Sequence, residues 1–272
     1  MRHAIYVPLF GALADPHAIV DLAEAAEQSG WQGFFVWDHV LSPINGDWEI
    51  ADPWVALAAV ATVTDRIHLG PMVTPLPRRR VLKLARETVT VDRLSHGRLI
   101  LGLGAGGDIG REYSAFDEDT DPQRLARVLD EGTAVLTALW AGHTVRHRGA
   151  VVADGVQAIP GPLQHPRIPL WFGTARTTGA PVQRAAQYDG IFPLGATADG
   201  IARIAEDVTR SRGTLTGFDI AVAVRPGDDV EALSAAGATW AMHAFWPGHR
   251  PDQVMRHIER GPADPSATRR HL

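Results

Sequence analysis

The sequence predicts a closed (β/α)8 barrel. Three observations point there: eight short runs rich in β-branched or aromatic residues, a longer amphipathic stretch after each, and a length of 272 residues. Strict alternation of strand and helix patterns implies repeated βα units on a parallel sheet. Barrels of this kind run near ~250 residues as one domain. An open doubly wound sheet shows the same alternation and is the rival fold. One barrel domain is expected over residues 1–260, with a frayed tail rich in Pro, Asp, Ser and Arg over 261–272.

The first strand is expected at Ala4 to Val7 and its helix at Pro16 to Ser29, where Asp15 caps and Pro16 occupies the first turn. The second strand is Gly33 to Trp37, and Asp52-Pro53 repeats the start signal for a helix over Asp52 to Val63. Ile67 to Val73 and Arg98 to Leu103 follow as strands three and four, with helices over Val81 to Leu94 and Gln123 to Trp140. The stretch from Thr144 to Gly161 breaks the rhythm. It reads as two short strands around His147-Arg148-Gly149-Ala150, a hairpin-like insertion between helix four and strand five. Strands five to eight are Ile168 to Phe172, Gly190 to Pro193, Phe218 to Val224 and Ala238 to Ala244. Their helices are Thr178 to Tyr188, Ala198 to Arg212, Asp228 to Ala236 and Pro251 to Arg260.

Composition removes several classes of function. A net charge of -5 gives no electrostatic footprint for nucleic acid. The lack of cysteine excludes thiolate catalysis, Cys-ligated zinc and iron-sulfur clusters, and suits a reducing cytoplasm, which is the expected location. No run of 18 apolar residues occurs, so no membrane span is expected. The short apolar N-terminus is interrupted at Pro8 and at Asp15-Pro16 and reads as neither signal peptide nor anchor. No His-Glu-x-x-His and no Gly-x-Ser-x-Gly is present, which argues against a zinc hydrolase, for which the scattered histidines give no ligand spacing, and against a serine hydrolase.

In a barrel the chemistry sits where strands end, at the C-terminal face. Gly102 to Gly107 matches Gly-x-Gly-x-x-Gly, in which missing side chains let backbone amides approach a phosphate. Three βα units precede it, whereas the nicotinamide-binding fold wants it after the first strand. Its readings are a tight turn with close packing, or a phosphate or flavin contact within a barrel through Gly104, Gly106 and Gly107. The run Gly173-Thr174-Ala175-Arg176-Thr177-Thr178 offers small residues, hydroxyls and a guanidinium just before a helix, as an anion would select. Ordinary capping by Thr177 or Thr178 is the alternative. Asp38-His39 ends strand two, and a histidine emerging at the mouth can give or take a proton near neutrality, although a structural hydrogen bond is the usual role of a lone histidine. Trp37, Trp48, Trp54, Trp171, Trp240 and Trp246 lie near strand ends, where some could wall a pocket for a flat heterocycle. Arg78-Arg79-Arg80 reads as a solvated loop or as an attractor for an acidic ligand tail.

These segments resemble the bacterial luciferase-like monooxygenases and their deazaflavin-dependent relatives. The matching stretches are Gly33 to His39, Asp52 to Leu57, Asp65 to Arg80, Lys83 to Thr88, Asp92 to Arg98, Pro169 to Gly173, Tyr188 to Pro193 and Gly237 to Trp240, nearly the whole chain in order. The resemblance implies a barrel with an isoalloxazine over its C-terminal mouth, FMN or the deazaflavin coenzyme F-420. By position, Gly173, Thr174, Ala175 and Arg176 would contact the cofactor phosphate, joined by Gly195 and Ala196. Met72, Val73 and Thr74, extending to Pro75, would back the ring, and Met72-Val73 corresponds to a non-prolyl cis peptide common in the family. His39, with Asp38 beside it, falls where the family keeps a functional histidine. Some deazaflavin enzymes place a proton-donating glutamate directly after the strand-four glycines. Here Gly107 stands there, with Asp108 and Glu112 near, so the general acid is unassigned. The chain is shorter than luciferase and lacks room for its insertion after strand seven.

The expected activity is FMN-dependent monooxygenation of a small organic substrate, with reduced flavin supplied by a separate reductase. Alternatives are hydride transfer with the deazaflavin and a flavin-binding barrel without turnover. Loops after strands one, two and eight, including Phe10, Trp48 and Trp246, would line the substrate pocket. The resemblance also implies a homodimer through helices on the barrel wall. Neither nucleic acid nor a membrane is expected as a partner, and no metal is.

Overall fold

The computed structural model describes residues 1–44 and 46–262; the expected tail lies, beyond Pro262, outside the described residues. In chain order the elements are β1 (Arg2–Val7), α1 (Pro16–Gln28), β2 (Gly33–Val36), α2 (Pro53–Val63), β3 (His68–Pro71), β4 (Thr74–Pro75), α3 (Val81–Leu94), β5 (Leu101–Gly104) and α4 (Pro122–Trp140). Then come β6 (Val145–Arg148), β7 (Val152–Val156), β8 (Leu170–Thr174), α5 (Ala180–Ala185), β9 (Gly190–Pro193), α6 (Ala198–Arg212), β10 (Asp219–Val224), α7 (Val230–Ala235), β11 (Trp240–Ala244) and α8 (Pro251–Ile258). No helix among the described residues is long and apolar enough to cross a membrane.

The parallel ladder runs β3-β2-β1-β11-β10-β9-β8-β5-β4, and a parallel bridge between Leu69 and Leu99 joins its two ends. That seam makes the sheet a barrel and rules out the open rival, in which edge strands would stay unpaired. Side chains alternate across the wall: Ala4 and Tyr6 of β1 point into the barrel with Phe35, Trp171 and Trp240, while Ile5 and Val7 face the helices. The inserted hairpin is present as β6 paired antiparallel with β7.

Starts of the longer helices follow the expected chemistry. Asp15, Asp52 and Asp121 accept N–H bonds at the first turns of α1, α2 and α4, each with proline inside the start. Two expectations change. The third strand is broken after Pro71 by a cis peptide at Met72-Val73, and the chain resumes as β4 against β5. The fifth helix begins at Ala180 because Gly179, at φ 80°, caps it; neither Thr177 nor Thr178 does.

Arg98 fastens the seam from beneath. It is 7% exposed, and its guanidinium donates to Ser95 O (2.7 Å), Ile67 O (2.7 Å), Ala61 O (3.1 Å), Thr64 O (2.6 Å) and Thr64 Oγ1 (2.9 Å). One side chain therefore ties the end of α2 and the start of β3 to the turn before β5. Replacing Arg98 by Met leaves those acceptors buried without donors, and a loss of about 3–5 kcal/mol is expected in urea unfolding. An unchanged midpoint would show that the seam closes without it.

A second, part-buried polar feature sits between the barrel wall and α8. His3 Nδ1 is 3.1 Å from His243 Nε2, and His243 Nδ1 is 3.1 Å from His257 Nε2, with the Trp31 ring packed 4.8 Å from His243. Burial, then the proximity of His257 and His3, pushes His243 down to about 3. An unfolded histidine titrates near ~6.5, so between these values only the unfolded chain takes the proton. The stability due to neutral His243 is full above that unfolded value and is lost as pH falls toward 3. The urea midpoint should decline through this window, and less steeply in His243→Gln, whose amide bonds both neighbours without titrating. Parallel profiles for the two proteins would refute the assignment.

Candidate active site

The floor of the mouth is Val73. Its side chain lies against Gly102, Gly104 and Gly173, where an added Cβ would stand 3.1, 2.9 and 2.8 Å from its methyl groups. Glycine at these strand ends is what lets the broken third strand approach β5 and β8. Tyr6, rising inside the barrel, donates its hydroxyl to Met72 O at 2.5 Å and holds the bend from below. The Gly-x-Gly-x-x-Gly match thus has a packing cause at Gly102 and Gly104. It has one at Gly106 too, where φ is 69° and a Cβ would meet the Tyr113 hydroxyl at 2.5 Å. Gly107 alone faces open space.

A buried ionic cluster forms one wall. The side chains of Asp38, Arg78 and Glu112 are 0%, 4% and 4% exposed. Arg78 donates to Glu112 Oε1 at 2.5 Å and to Asp38 O at 3.0 Å, and Arg79 reaches both Asp38 oxygens at 2.8 and 2.9 Å. Thr74 Oγ1 donates to Asp38 Oδ2 at 2.7 Å. Two of the three consecutive arginines therefore point inward, which neither reading of that run anticipated. Asp38 faces the cluster with both oxygens engaged, and the Thr74 hydroxyl is spent on it.

His39 is the partly open member, its side chain 26% exposed, with Nδ1 2.9 Å from Glu112 Oε2. Glu112 also accepts from Val40 N at 2.7 Å. Burial pushes the Glu112 carboxyl up, but the His39 hydrogen bond, the neighbouring charges of His39 and Arg78 and the Val40 N–H outweigh it and hold the group below its ordinary value. An ionised carboxylate only accepts, so the proton of a neutral His39 sits on Nδ1 and Nε2 carries a lone pair. Glu112 stands five positions past Gly107, after a turn in which Arg111 has φ 63°; nothing in the local pattern announces that it returns to His39.

On the opposite side the loops after β8 and β9 abut. Leu194 N donates to Thr174 O at 2.8 Å, and Thr177 lies against Gly200, where a Cβ would stand 2.9 Å from its methyl. Thr174 Oγ1 accepts from Arg176 N at 2.9 Å, leaving the Arg176 side chain exposed. Gly195, at φ 66°, has nothing within 4 Å of its missing Cβ, and Thr197 caps α6 through Gly200 N at 3.3 Å. Ala175 and Ala196 are the other small residues of these two loops.

The third side is aromatic. Trp37 lies 5.9 Å from His39, 6.1 Å from Phe10 and 5.4 Å from Trp246, ring centre to ring centre. Phe10 is buried beneath Trp37 and His39 instead of lining open space, and the Trp48 ring packs on Gly11 and Gly46, 3.1 and 3.0 Å from where a Cβ would be. Trp54, Trp171 and Trp240 belong to the core.

A family model described as luciferase-like monooxygenase matches residues 4–270. The chain belongs to the luciferase-like monooxygenase family. Among relatives of this luciferase-like chain, an uncharacterized protein of Mycobacterium tuberculosis is 29% identical over 260 residues, covering 88% of this chain and 90% of its own. The barrel is similar to a monooxygenase from Streptomyces bottropensis, with a TM-score of 0.75, 20% identity and 95% and 96% of the two chains covered. It is also similar to a coenzyme F-420-dependent secondary alcohol dehydrogenase solved with a cofactor-acetone adduct, with a TM-score of 0.72, 18% identity and 94% and 81% covered. At these identities the likeness is one of fold.

The tautomer of His39 gives a direct test. Ring ¹⁵N shifts of the neutral histidine should show a protonated Nδ1 and a bare Nε2, and Glu112→Gln should abolish that preference. A proton on Nε2 in the unaltered protein would overturn the assignment.

Proposed function

We propose that this protein is an FMN-dependent monooxygenase acting on a small organic substrate. The observation that carries the reading is the Val73 floor: a partly exposed apolar side chain at the break of the third strand, seated so closely on Gly102, Gly104 and Gly173 that a Cβ at any of them would meet it. Such a surface suits the flat face of an isoalloxazine, and the small residues of the abutting loops, Gly173, Thr174, Ala175, Gly195 and Ala196, with Arg176, suit its phosphate. The exposed Arg176 guanidinium supplies a charge-assisted donor there. Bound FMN, reduced by a separate reductase, would supply the electrons and the oxygen chemistry.

The remaining work falls to the chain's own side chains. His39 holds or moves a proton at Nε2, Glu112 and Arg78 fix its ring, and Asp38 holds the arginines without contacting substrate. Phe10, Trp37 and Trp246 exclude water from the substrate side. The open position at Gly107 supports oxygenation over deazaflavin chemistry, since the glutamate some deazaflavin enzymes use is missing there. One observation favours hydride transfer as the second reading: a bare Nε2 backed by a carboxylate is arranged as a base for a substrate hydroxyl. The homodimer belongs to the proposal as well.

Titration of the purified protein with FMN, riboflavin and the deazaflavin coenzyme separates these readings. FMN should bind at micromolar Kd and more tightly than riboflavin. Arg176→Ala should weaken FMN about 10- to 100-fold, the value of a hydrogen bond to a charged group, while leaving riboflavin unchanged. Selective binding of the deazaflavin would transfer the assignment to hydride transfer, and binding of neither would remove the cofactor reading.

A further inference from the structure

The loop after β10 presents a cation at the mouth that the proposed chemistry does not use. Arg225 follows the last residue of β10, and its guanidinium lies over the Trp246 ring, 4.7 Å from the centroid. The main chain here is pinned: Arg225 N donates to Asp228 Oδ2 at 2.7 Å, and Asp228 N donates back to Arg225 O at 3.1 Å. That carboxylate is occupied with the backbone, and the Arg225 guanidinium has no ion pair among the described residues. A guanidinium held over an indole ring by cation–π attraction remains a planar, charged fork that matches a carboxylate.

What it borders is the aromatic side. Trp246 is 41% exposed and meets Trp37 edge to face at 88°, and Trp37 meets His39. Arg225, Trp246, Trp37 and His39 therefore form one line from the rim to the reactive side of the mouth. Arg176, on the β8 loop, already serves the phosphate side in the proposed reading.

We propose that Arg225 is a specificity-determining residue and that the substrate is an apolar or aromatic molecule bearing a carboxylate. The anion pairs with Arg225, the body packs on Trp246 and Trp37, and the far end reaches His39. The inference rests on reading this mouth as the substrate site, and it deepens that reading.

Three isosteric probes test it: 3-phenylpropanoate, its primary amide and 3-phenylpropan-1-amine, titrated calorimetrically into the protein with and without FMN. The acid should bind at least tenfold more tightly than the amide, with the amine weakest. Arg225→Gln should erase the preference for the acid, Arg225→Lys should retain part of it, and the FMN affinity should not move. Equal binding of acid and amide, or no binding of any probe, overturns the proposal. So does a loss of FMN or deazaflavin affinity in Arg225→Gln, which would assign the cation to the cofactor. Absence of any flavin binding defeats the functional reading separately, and the probe series on the flavin-free protein still decides the role of Arg225.

Discussion

A buried guanidinium between two buried carboxylates holds the mouth of this barrel in place. Arg78 joins Asp38 at the end of β2 to Glu112 in the loop after β5, with Arg79 and Thr74 completing the set around Asp38. Two arginines against two carboxylates balance in charge, and burying them is costly unless nearly every lone pair is met. Asp38 meets that condition through three side chains. What the cluster yields is geometry: three segments from different parts of the chain are fixed relative to one another, and His39 is carried on one of them.

From that fixed corner the mouth divides into three surfaces. The floor is apolar, made by Val73 where the third strand breaks. The β8 and β9 loops form a side of small residues with the exposed Arg176 side chain. The third side, built by loops after β1, β2 and β11, is aromatic. Each side draws on a different resource of the fold. The floor depends on glycine near strand ends, the β8–β9 side on helix-starting loops, and the aromatic side on large residues following strands. A flat molecule with an anionic tail and a second apolar molecule would occupy such a mouth without competing for the same groups.

Much of this was legible in the sequence, for identifiable reasons. β-branched runs located the eight expected barrel strands, and the Asp15-Pro16 and Asp52-Pro53 signals placed the starts of α1 and α2, because period and capping chemistry are local. The break at Met72-Val73 came from resemblance; no periodicity signals it. The glycine run pointed to the right strand for an incomplete reason: Gly102, Gly104 and Gly106 are required by Val73 and Tyr113, contacts between residues far apart in the chain. Arg78 and Arg79 looked like a solvated charge run because their carboxylate partners lie 34 or more residues away. Glu112 was noted as a nearby carboxylate, but its pairing with His39 and Arg78 was hidden for the same reason. Local sequence shows where a polar residue stands but not which way a loop returns it.

The position of Glu112 bears on the missing glutamate after the glycine pair. A carboxylate held ionised by His39 and Arg78, with its other acceptor sites on the backbone of Val40 and Leu41, is not itself a proton donor. It acts only through the ring it orients. On this wall His39 is partly exposed, whereas Asp38 is sealed behind the arginines and Asp108 is turned to the N–H groups of Tyr113 and Ser114. In the proposed reading proton transfer here falls to that one histidine, where a glutamate at position 107 would have provided a second, independent group. One-group proton chemistry is compatible with oxygenation and with oxidation of a hydroxyl, but it leaves no separate acid on this wall for reactions that need acid and base at the same time.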